Sequence, residues 1–108
     1  MVPVVLMCAM QAMAAPRTVY GPVNGPPDCA EWMSVKETGG EQLQIYRSWF
    51  IGFVSGINFG SSDNLLINLS ANGAIYWAEK DCADHPLDNS SKAGIELIRE
   101  LKAKRGIK

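Results

Sequence analysis

An all-α domain of about four helices is what this sequence predicts, and three observations carry that reading. The stretch 42–59, QLQIYRSWFIGFVSGINF, is apolar around most of a helical circumference. Helix-length segments are parted by strong breakers at Gly39-Gly40, around Gly60 and at His85-Pro86. Cys29 keeps helical spacing with Trp32 and Met33, and Cys82 lies on an inward helical seam, so one disulfide can join the first and third segments. The expected architecture is a compact bundle around a central, glycine-notched helix at 42–59.

Wound at about 100° per residue, that central stretch gathers Leu43, Tyr46, Phe50, Phe53, Val54 and Ile57 on one face. Ser48, Gly52, Ser55 and Gly56 form a second stripe of small residues. Gln44, Arg47 and Asn58 crowd the narrow side left over. A helix so broadly apolar is buried on more than one side. Each helical glycine costs about 1 kcal/mol relative to alanine, and close approach of a neighbouring helix is the simplest compensation. The expectation is therefore that the last helix docks on the Gly52/Gly56 stripe. The same spacing is familiar from membrane helices, but the polar neighbours and short apolar run favour a soluble core. Trp32, Trp49 and Trp77 are expected to pack in or around it.

The first fifteen residues read as a secretory signal: Val2 to Met13 is nearly all apolar, and Ala12-Met13-Ala14 fits a small-x-small cleavage pattern. No Lys or Arg precedes the apolar run, which leaves the true start codon open. The run is shorter than the roughly 20 residues a membrane span needs, so no membrane attachment is expected after cleavage. Residues 16–27, rich in Pro and Gly, form an extended lead-in that packs through Val19 and Tyr20.

The helical domain spans 28–105, with 106–108 as a tail. Asp28, three residues before Glu31, marks the N-cap of a first helix running to about Glu37, which Thr38-Gly39-Gly40 ends. The central helix closes on Gly60, suited to a left-handed cap. Ser61 to Asn64 is a loop, and Leu65 to Leu69 is either a turn of helix or an ordered crossing. Ser70 caps a third helix to about Ala83, with a seam of Ala71, Ala74, Ile75, Ala78 and Cys82. Trp77 falls off that seam and reads either as a lid over the flank or as a partner-facing anchor. Pro86 suits the first turn of a fourth helix from Leu87 to Arg105, with Leu87, Ser91, Gly94, Ile98 and Leu101 inward.

The 108 residues carry a formal net charge of −1, which argues against nucleic acid as an electrostatic partner. Signal cleavage would remove Cys8 and leave Cys29 and Cys82, an even count suited to an oxidising compartment. A bridge across that loop stabilises by roughly 4 kcal/mol on the loop-entropy account; the alternative is two buried thiols. Two cysteines and one histidine make no metal cluster, and no cofactor is expected. Ser55 stands one position late for a hydrolase elbow and lies mid-helix. His85, beside a proline in a connector, reads as a cap or turn residue rather than a base. No catalytic residue is expected.

Cys29-x-x-Trp32, Trp49-Phe-Ile-Gly-Phe-Val-Ser-Gly-Ile-Asn58, Trp77-x-x-x-x-Cys82 and His85-Pro86-Leu87-Asp88 occur in that order. Together they resemble a group of small exported proteobacterial helical proteins, and more distantly the Tai-type immunity proteins of type VI secretion systems. That resemblance covers about Asp28 to Leu101. It implies a periplasmic protein that binds and blocks a cell-wall-cleaving toxin, with a protein partner and with a homodimer left open. This chain departs from the pattern in holding only two cysteines after export. No contact residue transfers from the resemblance; the polar loop of Asn58, Gly60, Ser61, Ser62, Asp63 and Asn64 is the partner-binding candidate. A weaker resemblance, to acid-stress chaperones of the HdeA type, implies a domain that opens when its 11 carboxylates neutralise. An envelope-accessory role is the third reading.

Overall fold

In a computed structural model, residues 26–107 are described. The expected export leader at 1–15, the lead-in contacts of Val19 and Tyr20, and Lys108 lie outside them. Four helices follow one another: α1 (Cys29–Thr38), α2 (Glu41–Phe59), α3 (Ala71–Asp84) and α4 (Ser90–Lys104). The break between α1 and α2 falls where paired glycines demand it. Gly39 and Gly40 take φ of 75° and 89°, a region that side chains avoid.

Buried Leu43, Tyr46, Phe50 and Val54 confirm the bulky face of α2. Trp32 of α1 is fully buried and meets Phe50 at a ring-centroid distance of 5.6 Å. Trp49 stacks on Phe53 at 5.2 Å, and Trp49 and Trp77 are partly buried against the same core. From α3 come Ala74, Ala78 and Cys82, with Ile75 half-buried; Ala71 is exposed, which corrects that end of its seam. Ser70 caps α3 as its residue type predicts, its Oγ accepting from Gly73 N–H at 2.9 Å.

Cys29 and Cys82 form the expected disulfide, with a Cα–Cα distance of 4.8 Å. Backbone bonds from Cys29 N–H to Asp88 O and from Ser90 N–H to Pro27 O, both 2.9 Å, pair the segments leading into α1 and α4. The bridge thus ties α1 to the end of α3, and this two-bond ladder ties it to the start of α4.

The close helix approach differs from the expected one. Gly52 and Gly56 are exposed, and a Cβ added to either would meet nothing within 4 Å. The notch lies on the other partner: a Cβ on Gly94 would sit 2.7 Å from Phe53 Cδ2 and 3.2 Å from Val54 Cγ1. So α4 presents its small residue to the bulky face of α2, and the small stripe of α2 faces outward. Large side chains leave little surface for α4 to approach unless α4 itself is small there.

Three further corrections concern chain ends. Pro86 does not open α4; it is exposed in a turn, and Leu87 is 99% exposed. The helix starts at Ser90 because Asn89 supplies the cap, its Oδ1 accepting from Lys92 N–H at 3.0 Å. Its buried positions are consequently Ser90, Ala93, Gly94, Leu97 and Ile98, while Ser91 and Leu101 are only half-buried. Gly60 is right-handed, with φ −81°, and it is Asn68 at φ 69° that takes the left-handed turn. The 65–69 segment is an ordered crossing pinned by Leu65, 1% exposed.

Three outcomes follow for stability. Gly52→Ala should raise it by up to about 1 kcal/mol through helix propensity alone, while Gly94→Leu should lower it by about 1–3 kcal/mol through overpacking; urea denaturation reads both. Complete reduction of Cys29–Cys82 should lower the melting temperature by at least about 10 °C, checked by calorimetry with and without reductant.

Candidate binding surface

α2 ends at Asn58 and Phe59, and Asn58 organises the loop behind it. Its Oδ1 accepts from Leu65 N–H at 2.7 Å and Leu66 N–H at 3.3 Å, and its Nδ2 donates to Asn64 Oδ1 at 3.1 Å. Ser61 Oγ accepts from Asp63 N–H at 3.0 Å. Of the six candidate loop residues, Gly60, Ser62 and Asn64 are exposed and Asn58, Ser61 and Asp63 are half-buried, and the side chains of Asn58, Ser61 and Asn64 are bonded within the loop. The sequence pattern places a polar loop correctly but does not reveal that half of its side chains hold the loop's own shape. Next to it stands Phe59, 92% exposed and outside the predicted set.

A second surface lies between α3 and α4. Trp77, Asp81 and His85 of the α3 side face Lys92, Glu96 and Arg99 of α4 across a groove of about 680 Å³. Its charges are paired along the helices: Lys92 Nζ lies 3.9 Å from Asp88 Oδ2 and 4.0 Å from Glu96 Oε2, and Arg99 bonds Glu96. His85 Nδ1 lies 3.0 Å from Asp81 O and 3.4 Å from Asp81 Oδ1, so the histidine caps α3. Burial pushes the Asp81 carboxyl above its ordinary value, His85 pulls it down, and Asp88 and Glu96 push it up again. Trp77 forms the groove's apolar wall while resting on the core, so it serves as flank lid and exposed surface together.

The polar cluster with the greatest structural consequence is one that the sequence pattern conceals. Glu79, 5% exposed, sits on the buried side of α3 between Ala78 and Cys82. Its Oε2 accepts from Trp32 Nε1 at 3.0 Å and Arg47 Nε at 2.8 Å; its Oε1 accepts from an Arg47 terminal nitrogen at 3.0 Å. Lys36 Nζ lies 3.6 Å from the same Oε1. The bond to Glu79 holds the Arg47 guanidinium above its ordinary pKa. Nearby, Tyr46 donates to Glu31, and burial first, then that bond, raises the phenol. The available signal was position: Glu79 stands four residues after Ile75 and three before Cys82, on the seam itself.

Among the described residues no group of three or more His, Cys, Asp or Glu is placed to hold a metal ion. No helix there is long and apolar enough to cross a membrane. Glu79→Ala should destabilise by about 3–5 kcal/mol, because it leaves Arg47 and the Trp32 indole N–H without their buried acceptor. Chemical denaturation measures this, and loss of the Trp32 environment in near-UV circular dichroism should accompany it. With these surfaces in view, comparison with known proteins adds no relative: the chain matches no protein-family model, no curated protein and no solved structure.

Proposed function

We propose that the protein is an exported, non-catalytic binding protein, and that it acts as an immunity protein by occupying a cell-wall-cleaving toxin. The observation that supports binding most directly is the α3–α4 groove. It is broad and open, walled by an indole, and edged with charges whose present partners are weakly held surface ions. A protein segment can exchange those ions for its own and bury Trp77, the kind of aromatic that anchors interfaces. The loop at 60–64 offers a separate polar rim. The disulfide and the Glu79 cluster keep the bundle rigid, so little ordering cost falls on association.

An acid-stress chaperone is the second reading, and Glu79 is what favours it. In strong acid the chain's 11 carboxylates neutralise while its ten Lys and Arg stay charged, and that self-repulsion falls on a bundle whose first three helices meet at this one side chain.

The first reading is tested by asking whether a neighbouring gene encodes a secreted cell-wall-cleaving effector and, where it does, by calorimetric titration against that effector. The expected dissociation constant is nanomolar, with Arg99→Glu on the groove weakening it at least about tenfold, or about 1.4 kcal/mol. Failure to bind at micromolar concentration, together with failure to protect cells from that effector, would remove the immunity role. Suppression of client aggregation in strong acid but not at neutral pH would transfer the assignment to the chaperone.

A further inference from the structure

Trp77 and Asp81 of α3 and its capping residue His85 recur four residues apart, so they share the face that walls the α3–α4 groove. Across it, α4 and the connector before it supply Asp88, Lys92, Glu96, Arg99 and Glu100. Four carboxylates thus line the groove with two fixed cations. Three of the four are already matched. Asp88 has Lys92 Nζ at 3.9 Å, Glu96 binds Arg99, and Glu100 has Lys104 Nζ at 3.7 Å. Asp81 is different. Among the described residues its side chain, 16% exposed, meets no Lys or Arg but only His85, whose Nδ1 lies 3.4 Å from Oδ1.

Taking the α3–α4 groove as the binding surface, as proposed above, we infer that its Asp81 end receives the guanidinium of an arginine supplied by the protein partner. The guanidinium stacks on the Trp77 indole and donates to the Asp81 carboxylate. A carboxylate drawn out of water without a cation is the costly member of such a set, and an arriving cation relieves it. Burial raises the Asp81 carboxyl above its ordinary value; Asp88 and Glu96 push the same way, against the pull of His85. A bound cation lowers it again, and that reciprocal shift is binding energy. Shape and hydration select arginine over lysine. A planar guanidinium covers an indole face and meets a carboxylate at its edge. It also sheds water more readily than an ammonium, as a half-buried acceptor demands. Arg99, held by Glu96 on its own helix, is left to take an acidic group of the same segment. The groove therefore has one end that seeks a cation and another that seeks an anion, which gives the bound segment a direction.

Proton–nitrogen correlation spectra of the protein, titrated with acetyl-Gly-Arg-Gly-amide at constant ionic strength, test this. Saturable shifts are expected at the Trp77 indole N–H and at the Asp81 and His85 amides, with a dissociation constant on the order of 1–10 mM for so small a probe. The peptide with citrulline in place of arginine should bind at least about tenfold more weakly, and Asp81→Asn should lose as much toward the arginine peptide. Glu100→Gln, whose carboxylate already has Lys104, should lose less than about twofold. An unchanged circular dichroism melt verifies that Asp81→Asn is folded; should it unfold, the site of the wild-type shifts and the citrulline comparison decide. Shifts that miss Trp77 and Asp81, equal binding of the citrulline peptide, or equal losses in the two acid variants would overturn the inference. Nanomolar capture of an effector that Asp81→Asn leaves unchanged would also overturn it, with the immunity reading still standing. Arginine-dependent binding by a protein that neither captures nor neutralises the effector would uphold this site and remove that reading.

Discussion

A carboxylate with almost no access to water sets the geometry of this bundle. Glu79 reaches from α3 to donors on two other helices, Trp32 of α1 and Arg47 of α2, with Lys36 of α1 at its edge. A buried charge tolerates little error in the placement of its partners. The Cys29–Cys82 link lies one helical turn away on both elements it joins. Cys29 meets Cys82 while Trp32 meets Glu79, so the two fastenings step in opposite directions and α1 and α3 run antiparallel. Apolar groups in place of such a cluster are often neutral for stability. What directional bonds add is the rotation of α2 about its own axis.

That rotation decides which face of α2 is covered. With Arg47 turned to Glu79, the Leu43–Val54 face points into the core and Phe53 and Val54 meet α4 at Gly94. The Gly52/Gly56 stripe is then left on the outside. Three surfaces result: the stripe on α2, the polar loop that continues from its C-terminal end, and the charged groove beside Trp77. Helices carry the stripe and the groove, and the loop is shaped by the side-chain bonds of Asn58 and Ser61.

Much of the fold was legible in the chain. The bulky face of α2 was read from its period, the α1–α2 break from Gly39-Gly40, the start of α3 from Ser70, and the pairing of cysteines from their inward positions. Errors clustered where two local signals competed. Pro86 and Asn89 can each open a helix; the Asn89 side chain wins, shifting the buried positions of α4 to Ser90, Ala93 and Leu97. The candidate site was less legible, because a polar loop looks the same whether its side chains face a partner or, like Asn58, tie the loop to itself.

The sequence by itself determined the class of the domain, the extent of its central helix, the caps at Ser70 and the glycine turn, and the pair of cysteines. These are local matters of periodicity, backbone freedom and donor count within a few residues. Only the tertiary structure decided which small stripe would receive a neighbour, and which charge would be taken inside. Gly52 and Gly94 are chemically identical, and Glu79 resembles any surface glutamate until Trp32 and Arg47 converge on it. Such choices depend on residues 32 to 47 positions apart, whose juxtaposition exists only once the helices have packed.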